Sequence, residues 1–101
     1  MNDDRIRTRI QTDFVAGPVR AQGKIRNLGS RGLFIRTESV PAEGDSIRLR
    51  FEAPDGEPVS AEGLVWWTTR ERERRWGQQG FGVCLLAASA SYRAMIDRMI
   101  R

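Results

Sequence analysis

The clearest local pattern of this chain is found in the stretch Ile25-Arg26-Asn27-Leu28-Gly29-Ser30-Arg31-Gly32-Leu33-Phe34-Ile35. The residues from Val19 to Arg26 alternate between small or apolar and polar side chains, as in a strand with one buried face. The apolar run from Leu33 to Ile35 predicts a further short strand. The Asn, Gly and Ser residues between these segments favour a tight loop, because they tolerate the backbone conformations that turns require. The stretch therefore predicts two strands joined by a short loop.

Segments with a strand-like pattern lie on both sides of this stretch, separated by turn signals such as Gly17-Pro18 and Pro54-Asp55-Gly56. Together they predict six strands, which begin at Ile10 and continue over 19–26, 33–35, 46–52, 59–68 and 81–86. After Ala88 the apolar spacing changes to that of a helix, with Ser89 or Ser91 as its N-cap. This arrangement predicts an all-β fold, an antiparallel barrel or sandwich, with one short C-terminal helix.

The composition is that of one small globular domain. The chain has 101 residues, of which 40% are hydrophobic and 30% charged, so one modest core is expected. It has no His, and its scattered acidic residues form no acid–base pair or metal cluster, so neither an enzyme nor a metal site is predicted. The single Cys84 allows no internal disulfide and is expected to be buried. Without a signal-like N-terminus or a membrane-length apolar run, we expect a cytoplasmic protein that does not insert into membranes.

The basic residues are almost all arginine, and one group of them lies near the N-terminus. The net charge is +4, and Lys24 is the one lysine among 17 basic residues. The cluster Arg5-Ile6-Arg7-Thr8-Arg9 precedes the first predicted strand, so we expect residues 1–9 to be a flexible segment beside a domain of residues 10–101. Arginine presents a planar fork that suits phosphate groups. We therefore expect this segment and the loop at 27–32 to meet and bind a small anion.

These two stretches resemble the paired motifs of the PilZ domain family, R-x-x-x-R and D/N-x-S-x-x-G. Arg5 and Arg9 match the first motif, and Asn27 and Gly32 match the ends of the second. The Ser position of the second motif holds Gly29, and a serine follows one place later. The later segments 65–66 and 80–83 stand where the family has its fifth and sixth strands, so the resemblance covers nearly the whole chain.

The resemblance implies a six-stranded antiparallel β-barrel that acts as a receptor for cyclic di-GMP, a bacterial second messenger, and signals to a protein partner. Arginine can bind the phosphates or guanines of this ligand, and an asparagine amide can bind a guanine edge. Arg7 is expected to point away in an extended segment and to assist binding if the segment forms a turn. The two loop glycines are expected to allow positive φ. The ligand-binding residues implied are Arg5, Arg9, Asn27, Gly29, Ser30 and Gly32.

Two other functions are consistent with the sequence. The glycine at position 29 lacks the hydroxyl of the family motif, which favours a ligand-independent PilZ-like adaptor in motility or surface-structure assembly. A weaker hypothesis is non-specific nucleic-acid binding by the basic row Arg20, Lys24 and Arg26, which would fall steeply with salt. Trp66-Trp67 is consistent with a stacking platform or with a strand end that has one ring inward and one outward, and the strand end is preferred. Trp76, in a charged loop, is interpreted as part of a surface for a protein partner.

Overall fold

The computed structural model describes residues 5–69 and 79–100, which form six β-strands and one α-helix. The strands pair antiparallel in the order β1-β2-β3-β6-β5-β4, and β4 pairs back with β1 to close a barrel. Closure satisfies the backbone groups that the edges of an open sheet would leave unpaired. The prediction of a six-stranded antiparallel barrel with a C-terminal helix is confirmed. The elements are β1 (Ile6–Ala16), β2 (Val19–Leu28), β3 (Gly32–Arg36), β4 (Ser46–Glu52), β5 (Pro58–Thr68), β6 (Gly80–Ala88) and α1 (Ala90–Ile100).

The core fills the inside of the barrel with alternate side chains of the strands. In β4, for example, Ile47, Leu49 and Phe51 are buried while the residues between them are exposed. Phe14 from β1 meets Phe81 from β6 edge to face, with ring centroids 5.2 Å apart. This alternation is the period of two that the sequence shows, so the pattern alone assigns most side chains to the inside or the outside.

Three of the connections contain a glycine with positive φ, at Gly17, Gly44 and Gly56. Gly17 joins β1 to β2 and Gly56 joins β4 to β5, so the predicted turns at these two places are confirmed. The second turn is closed by the amide of Ala53, which donates to the carbonyl of Glu57 at 2.8 Å. Glycine suits these positions because it adopts positive φ without steric cost.

The first strand begins at Ile6, four residues before its predicted start. Ile6, Thr8 and Ile10 are half-buried while the arginines between them are exposed, so the strand period already runs through the arginine cluster. This period is hard to recognise in the sequence, because a strand whose outward side chains are all arginine has the composition of a polar, flexible segment. Residues 6–9 therefore belong to the barrel, and residues 1–4 lie outside the described part of the chain.

The C-terminal helix packs on the barrel, mainly against β5. The hydroxyl of Ser89 accepts a hydrogen bond from the amide of Tyr92 at 3.2 Å, which identifies Ser89 as the N-cap. Tyr92, Met95 and Ile96 are buried, as the helical spacing predicted. Arg98 pairs with Asp55 in the β4–β5 turn, with Nε and Oδ2 2.8 Å apart.

The predicted charged loop with Trp76 lies outside the described residues. Within residues 5–69 and 79–100, no helix has the length and apolarity needed to span a membrane.

Candidate functional site

A pocket of about 1160 Å³ lies against the outer face of the barrel and includes residues of β1, β2, β3, β6 and β5. Its volume slightly exceeds the roughly 300–1,000 Å³ that is usual for small-molecule sites. Three register shifts border it, between β1 and β2 at residues 7–10, between β2 and β3 at 25–27, and between β5 and β6 at 65–67. A β-bulge bends its strand and redirects side chains, and bulges are frequent beside functional sites. Three of the four register shifts in the described strands thus border one pocket, and the fourth lies at Glu62/Gly63.

Arg5 connects the two motifs that the sequence analysis paired. Its Nη1 donates to Oδ1 of Asn27 at 2.8 Å and to the carbonyl of Gly32 at 3.3 Å. Arg7 lies opposite Asn27 in the β1–β2 pairing, so the strand register brings the arginine cluster to the loop. The expected meeting of the two stretches is therefore observed, at the residues that open and close the second motif.

The pocket is lined by six arginines, and none of the described residues that line it is acidic. Arg5, Arg7 and Arg9 all belong to this lining, so the expectation that Arg7 points elsewhere is wrong. Residues two apart lie on the same face of a strand, and the cluster is a strand and not a loose segment. The remaining three are Arg26, Arg31 and Arg36. Such a concentration of one charge in a concave site attracts anions.

Gly32 is required for close packing and not for a special backbone angle. A Cβ at this position would collide with the carbonyl oxygen of Val83 on β6, which pairs with β3 here. Gly32 is absent from the residues with positive φ, and so is Gly29, so the expected use of positive φ at these glycines is wrong. The loop glycine of the motif thus lets two strands and the Arg5 side chain come together in a small space.

Gly29 and Ser30 lie outside the pocket lining, unlike the other predicted ligand-binding residues Arg5, Arg9, Asn27 and Gly32. Gly29 is buried, and its amide donates to the carbonyl of Gly32 at 2.9 Å. Its own carbonyl accepts a hydrogen bond from the hydroxyl of Tyr92 at 2.7 Å. Ser30 is exposed. Gly29 therefore serves the loop and its attachment to α1.

Burial raises the pKa of the Tyr92 hydroxyl, and the positive charge of Arg5 opposes this rise. The phenol is thus kept protonated, which is the form that donates to the Gly29 carbonyl. A neutral donor at this place ties α1 to the loop without adding a charge near the arginines.

The opposite side of the pocket is aromatic. Trp66 is 67% exposed and Trp67 is 43% exposed, so the expectation of one inward and one outward ring is wrong. The bulge between Val65 and Trp67 explains this, because the extra residue on β5 breaks the alternation and leaves two consecutive side chains outside. Trp67 stacks on Phe34 of β3, with centroids 5.4 Å apart and planes at 23°.

Several residues of this site are not among those predicted from the sequence. Arg26 was assigned to the outer basic face of β2 and not to the ligand site, but it lines the pocket, half-buried, at the β2–β3 bulge. Cys84 is half-buried and lines the pocket, so its expected burial is only partial. Bulge positions carry no clear signal in one sequence, since they depend on how two strands pair.

A model of the PilZ domain family matches residues 1–101. No curated protein sequence matches the chain. The fold is similar to that of the Bacillus subtilis inhibitor of motility (MotI/DgrA), with a TM-score of 0.77 and 14% identity over 96% of this chain and 47% of that chain. This chain thus spans about half the length of that protein. It is also similar to the PilZ domain of CeSA from a cellulose-synthesizing bacterium, with a TM-score of 0.66 and 13% identity over 95% and 93% of the two chains.

Because their sequences are only 14% and 13% identical to this chain, these two structures show a similar fold and nothing more. The family model adds sequence evidence that extends over the entire chain. The barrel order and the contact between the two motifs agree with it. The chain therefore belongs to the PilZ domain family.

Proposed function

We propose that this chain is a receptor for cyclic di-GMP that passes the level of this second messenger to a protein partner. The ligand carries two phosphodiester charges and two guanines, and the pocket offers arginines for the first and polar and aromatic groups for the second. Arg5, Arg9, Asn27 and Gly32 are the residues that we assign to binding. No catalytic role is assigned to any residue, because PilZ domains are binding and adaptor domains.

The observation that carries this proposal is the position of Arg5 on Asn27 and Gly32. These contacts hold the guanidinium at the border of a large pocket whose described lining contains arginines and no acidic residue. A dianionic ligand thus meets positive charge that is already in place, so less side-chain entropy is lost on binding than with a free arginine.

Calorimetric titration of the purified protein with cyclic di-GMP, with GTP as the control nucleotide, tests the proposal. We expect binding to the cyclic dinucleotide and much weaker binding to GTP. Arg5→Ala and Arg9→Ala should each weaken binding by roughly 10- to 150-fold, the value of a charge-assisted hydrogen bond. Arg20→Ala is the matched control, because Arg20 is exposed on β2 and does not line the pocket.

Two results would contradict the receptor function. One is the absence of measurable heat at high protein concentration. The other is equal affinity in the double variant Arg5→Ala/Arg9→Ala and the unaltered protein.

A ligand-independent adaptor is the second candidate function. It is favoured by Gly29, which stands where the motif has Ser and so lacks a hydroxyl for the ligand. The amide and the carbonyl of Gly29 both form hydrogen bonds within the protein. The similar Bacillus subtilis protein is an inhibitor of motility, and under this second candidate function we propose a comparable role through protein contact for this chain. Gly29→Ser distinguishes the two functions. Tighter cyclic di-GMP binding supports the receptor, and no binding in either protein supports the adaptor.

A further inference from the structure

A second pocket, of about 1050 Å³, lies on the outside of the barrel around β1 and β4. None of the described residues that line it also lines the candidate site. The candidate site carries positive charge, whereas this second pocket carries both signs of charge. Its exposed charged residues are three arginines and two carboxylates, namely Arg20, Arg48, Arg50, Asp13 and Glu62. This mixed-charge face is therefore a separate surface of the protein.

The strand register arranges the mixed-charge face in two rows across β2-β1-β4-β5. The first row, from β2 to β5, is Arg20, Val15, Arg48 and Glu62. In the second row, Asp13 on β1 lies opposite Arg50 on β4. The two rows are two residues apart along each strand, so they lie on the same face of the sheet. The short side chains of β1 beside the two arginines of β4 give a groove along β1 and a ridge along β4.

The charged groups of this face are not paired with one another. Asp13 lies directly opposite Arg50 in the β1–β4 pairing, and Arg48 lies opposite Glu62 in the β4–β5 pairing. Neither these four residues nor Arg20 forms an ion pair in the part of the chain that the structure describes. Their charges are therefore available to a binding partner.

The mixed-charge face is complementary to a second copy of itself. When two such faces pack about a two-fold axis that runs parallel to the strands, midway between β1 and β4, β1 of each copy lies over β4 of the other. Asp13 then meets Arg50 of the second copy, and Arg20 meets Glu62 of the second copy. Each contact occurs twice in a two-fold interface, which gives four contacts between opposite charges. The arginine ridge of each copy also enters the groove of the other, with Arg48 over Val15.

We propose that the mixed-charge face binds a second copy of this chain and forms a weak homodimer. Four strands spaced about 4.8 Å apart make a face about 15–20 Å wide, which is at the small end for protein interfaces. The two carboxylates disfavour nucleic acid, because they repel its phosphates, and a second copy matches both signs of charge. The two pockets share no lining residue, so the candidate site stays open in the dimer and the proposal does not depend on the receptor function.

Sedimentation equilibrium of the purified chain, at concentrations up to about 1 mM, tests the dimer. We expect the average mass to rise from that of one chain towards that of two as the concentration increases. Asp13→Arg and Arg50→Glu each place like charges in contact at two positions of the interface. Each should therefore weaken the dimer at least about 10-fold.

Mixing the two variants gives the sharpest measurement. In a pair made of one Asp13→Arg chain and one Arg50→Glu chain, opposite charges meet again at both positions, so the mixture should form a heterodimer although neither variant dimerises alone. Only contact between two chains explains such a rescue. Melting curves confirm that each variant is folded. If one of them does not fold, Arg20→Glu and Glu62→Arg form a second complementary pair for the same experiment.

Charge reversals on the helix are the matched controls. Arg93 and Asp97 are exposed on α1 and do not line the second pocket. Arg93→Glu and Asp97→Arg change the net charge as Arg50→Glu and Asp13→Arg do, but away from the face, so the dissociation constant of the dimer should stay unchanged.

Salt gives an independent measurement. The Debye length falls from about 10 Å at 0.1 M salt to about 3 Å at 1 M, so contacts between exposed charges are screened. We expect the dimer to weaken several-fold over this range.

Three results would overturn the proposal. The first is a mass of one chain at every concentration up to about 1 mM. The second is a dimer that is equally strong in Asp13→Arg, Arg50→Glu and the unaltered protein, since the chains would then associate through another face. The third is association that strengthens at 1 M salt, which would identify an apolar contact in place of the charged one.

Discussion

Tyr92 connects the C-terminal helix to the candidate site through a series of hydrogen bonds. Its hydroxyl donates to the carbonyl of Gly29, the amide of Gly29 donates to the carbonyl of Gly32, and that carbonyl accepts from Arg5. The ring also packs edge to face on Phe51, with centroids 6.5 Å apart. One buried residue thus fixes the loop from which the pocket is built, although it does not line the pocket itself.

The stability of the protein should fall at alkaline pH because of Tyr92. An ordinary tyrosine ionises near pH 10, and burial raises the pKa of Tyr92 above that value. The unfolded chain therefore releases this proton first. The stabilisation from the buried phenol is complete below pH 10 and is lost as the pH rises through the pKa of the folded protein.

Urea unfolding of the unaltered protein and Tyr92→Phe over this pH range measures the effect. At neutral pH we expect Tyr92→Phe to be less stable by about 1 kcal/mol or more, since it leaves the Gly29 carbonyl unpaired. Above pH 10 the difference should shrink. Tyr92 is the one tyrosine of the chain, so phenolate absorbance reports its ionisation directly. A difference that stays constant with pH would contradict this explanation.

Among the elements, the bulged strands and the helix have different roles. β1, β2 and β5 each carry an extra residue beside the pocket, and the extra residues on β2 and β5, which are Arg26 and Trp66, line it. The helix contributes burial and one anchoring hydrogen bond to the loop. The strands therefore supply the groups for binding, and the helix holds the loop in place.

The helix should depend measurably on its N-cap. The Ser89 hydroxyl accepts from the amide of Tyr92 and donates to the carbonyl of Ser60 on β5, so it caps α1 and attaches it to the barrel. Ser89→Ala should lower the free energy of unfolding by about 1 kcal/mol, measured by urea denaturation. Ser46→Ala, at an exposed position of β4, should change it by less than about 0.5 kcal/mol. Equal effects of the two substitutions would show that Ser89 does not cap the helix.

The salt bridge of the helix should contribute less than its cap. Arg98 and Asp55 are each nearly half exposed, at 44% and 46%. Exposed pairs are screened by water and usually contribute between 0 and about 1 kcal/mol. The N-cap and the buried face of α1 therefore contribute more than this pair to the attachment of α1 to the barrel.

At the scale of the whole molecule, the closed barrel couples the site to global stability. Five of the six strands, β1, β2, β3, β6 and β5, contribute to the pocket, so a ligand that contacts several of them stabilises the folded barrel as a whole. A ligand at 100 times its Kd adds about 2.7 kcal/mol to the free energy of unfolding. For a domain of this size that corresponds to a rise in Tm of about 10 °C or more.

Thermal melting with and without cyclic di-GMP measures this effect. We expect a clear rise in Tm for the unaltered protein and for Arg20→Ala. Arg5→Ala at the same ligand concentration should show a much smaller rise. The receptor function would be refuted by the absence of any shift at saturating ligand.

The six strands and the C-terminal helix are predictable from the sequence alone, and the resemblance to the family selects the barrel over the sandwich. Period-two alternation, turn glycines and a change to helical spacing depend on neighbours along the chain, so they can be read without a structure. The motif residues Arg5, Arg9, Asn27 and Gly32 were recognisable for the same reason, because their spacing is a property of the chain.

The start of β1, the place of Arg7 in the pocket lining, the contacts of Gly29 and the aromatic side of the pocket are visible only in the folded barrel. They depend on contacts between distant segments, and on β5 one extra residue breaks the alternation of side chains. Trp66 and Trp67 are adjacent in sequence and would alternate in a regular strand. They share the pocket because β5 and β6 pair out of step between Val65 and Trp67, and that mismatch exists only in the folded barrel.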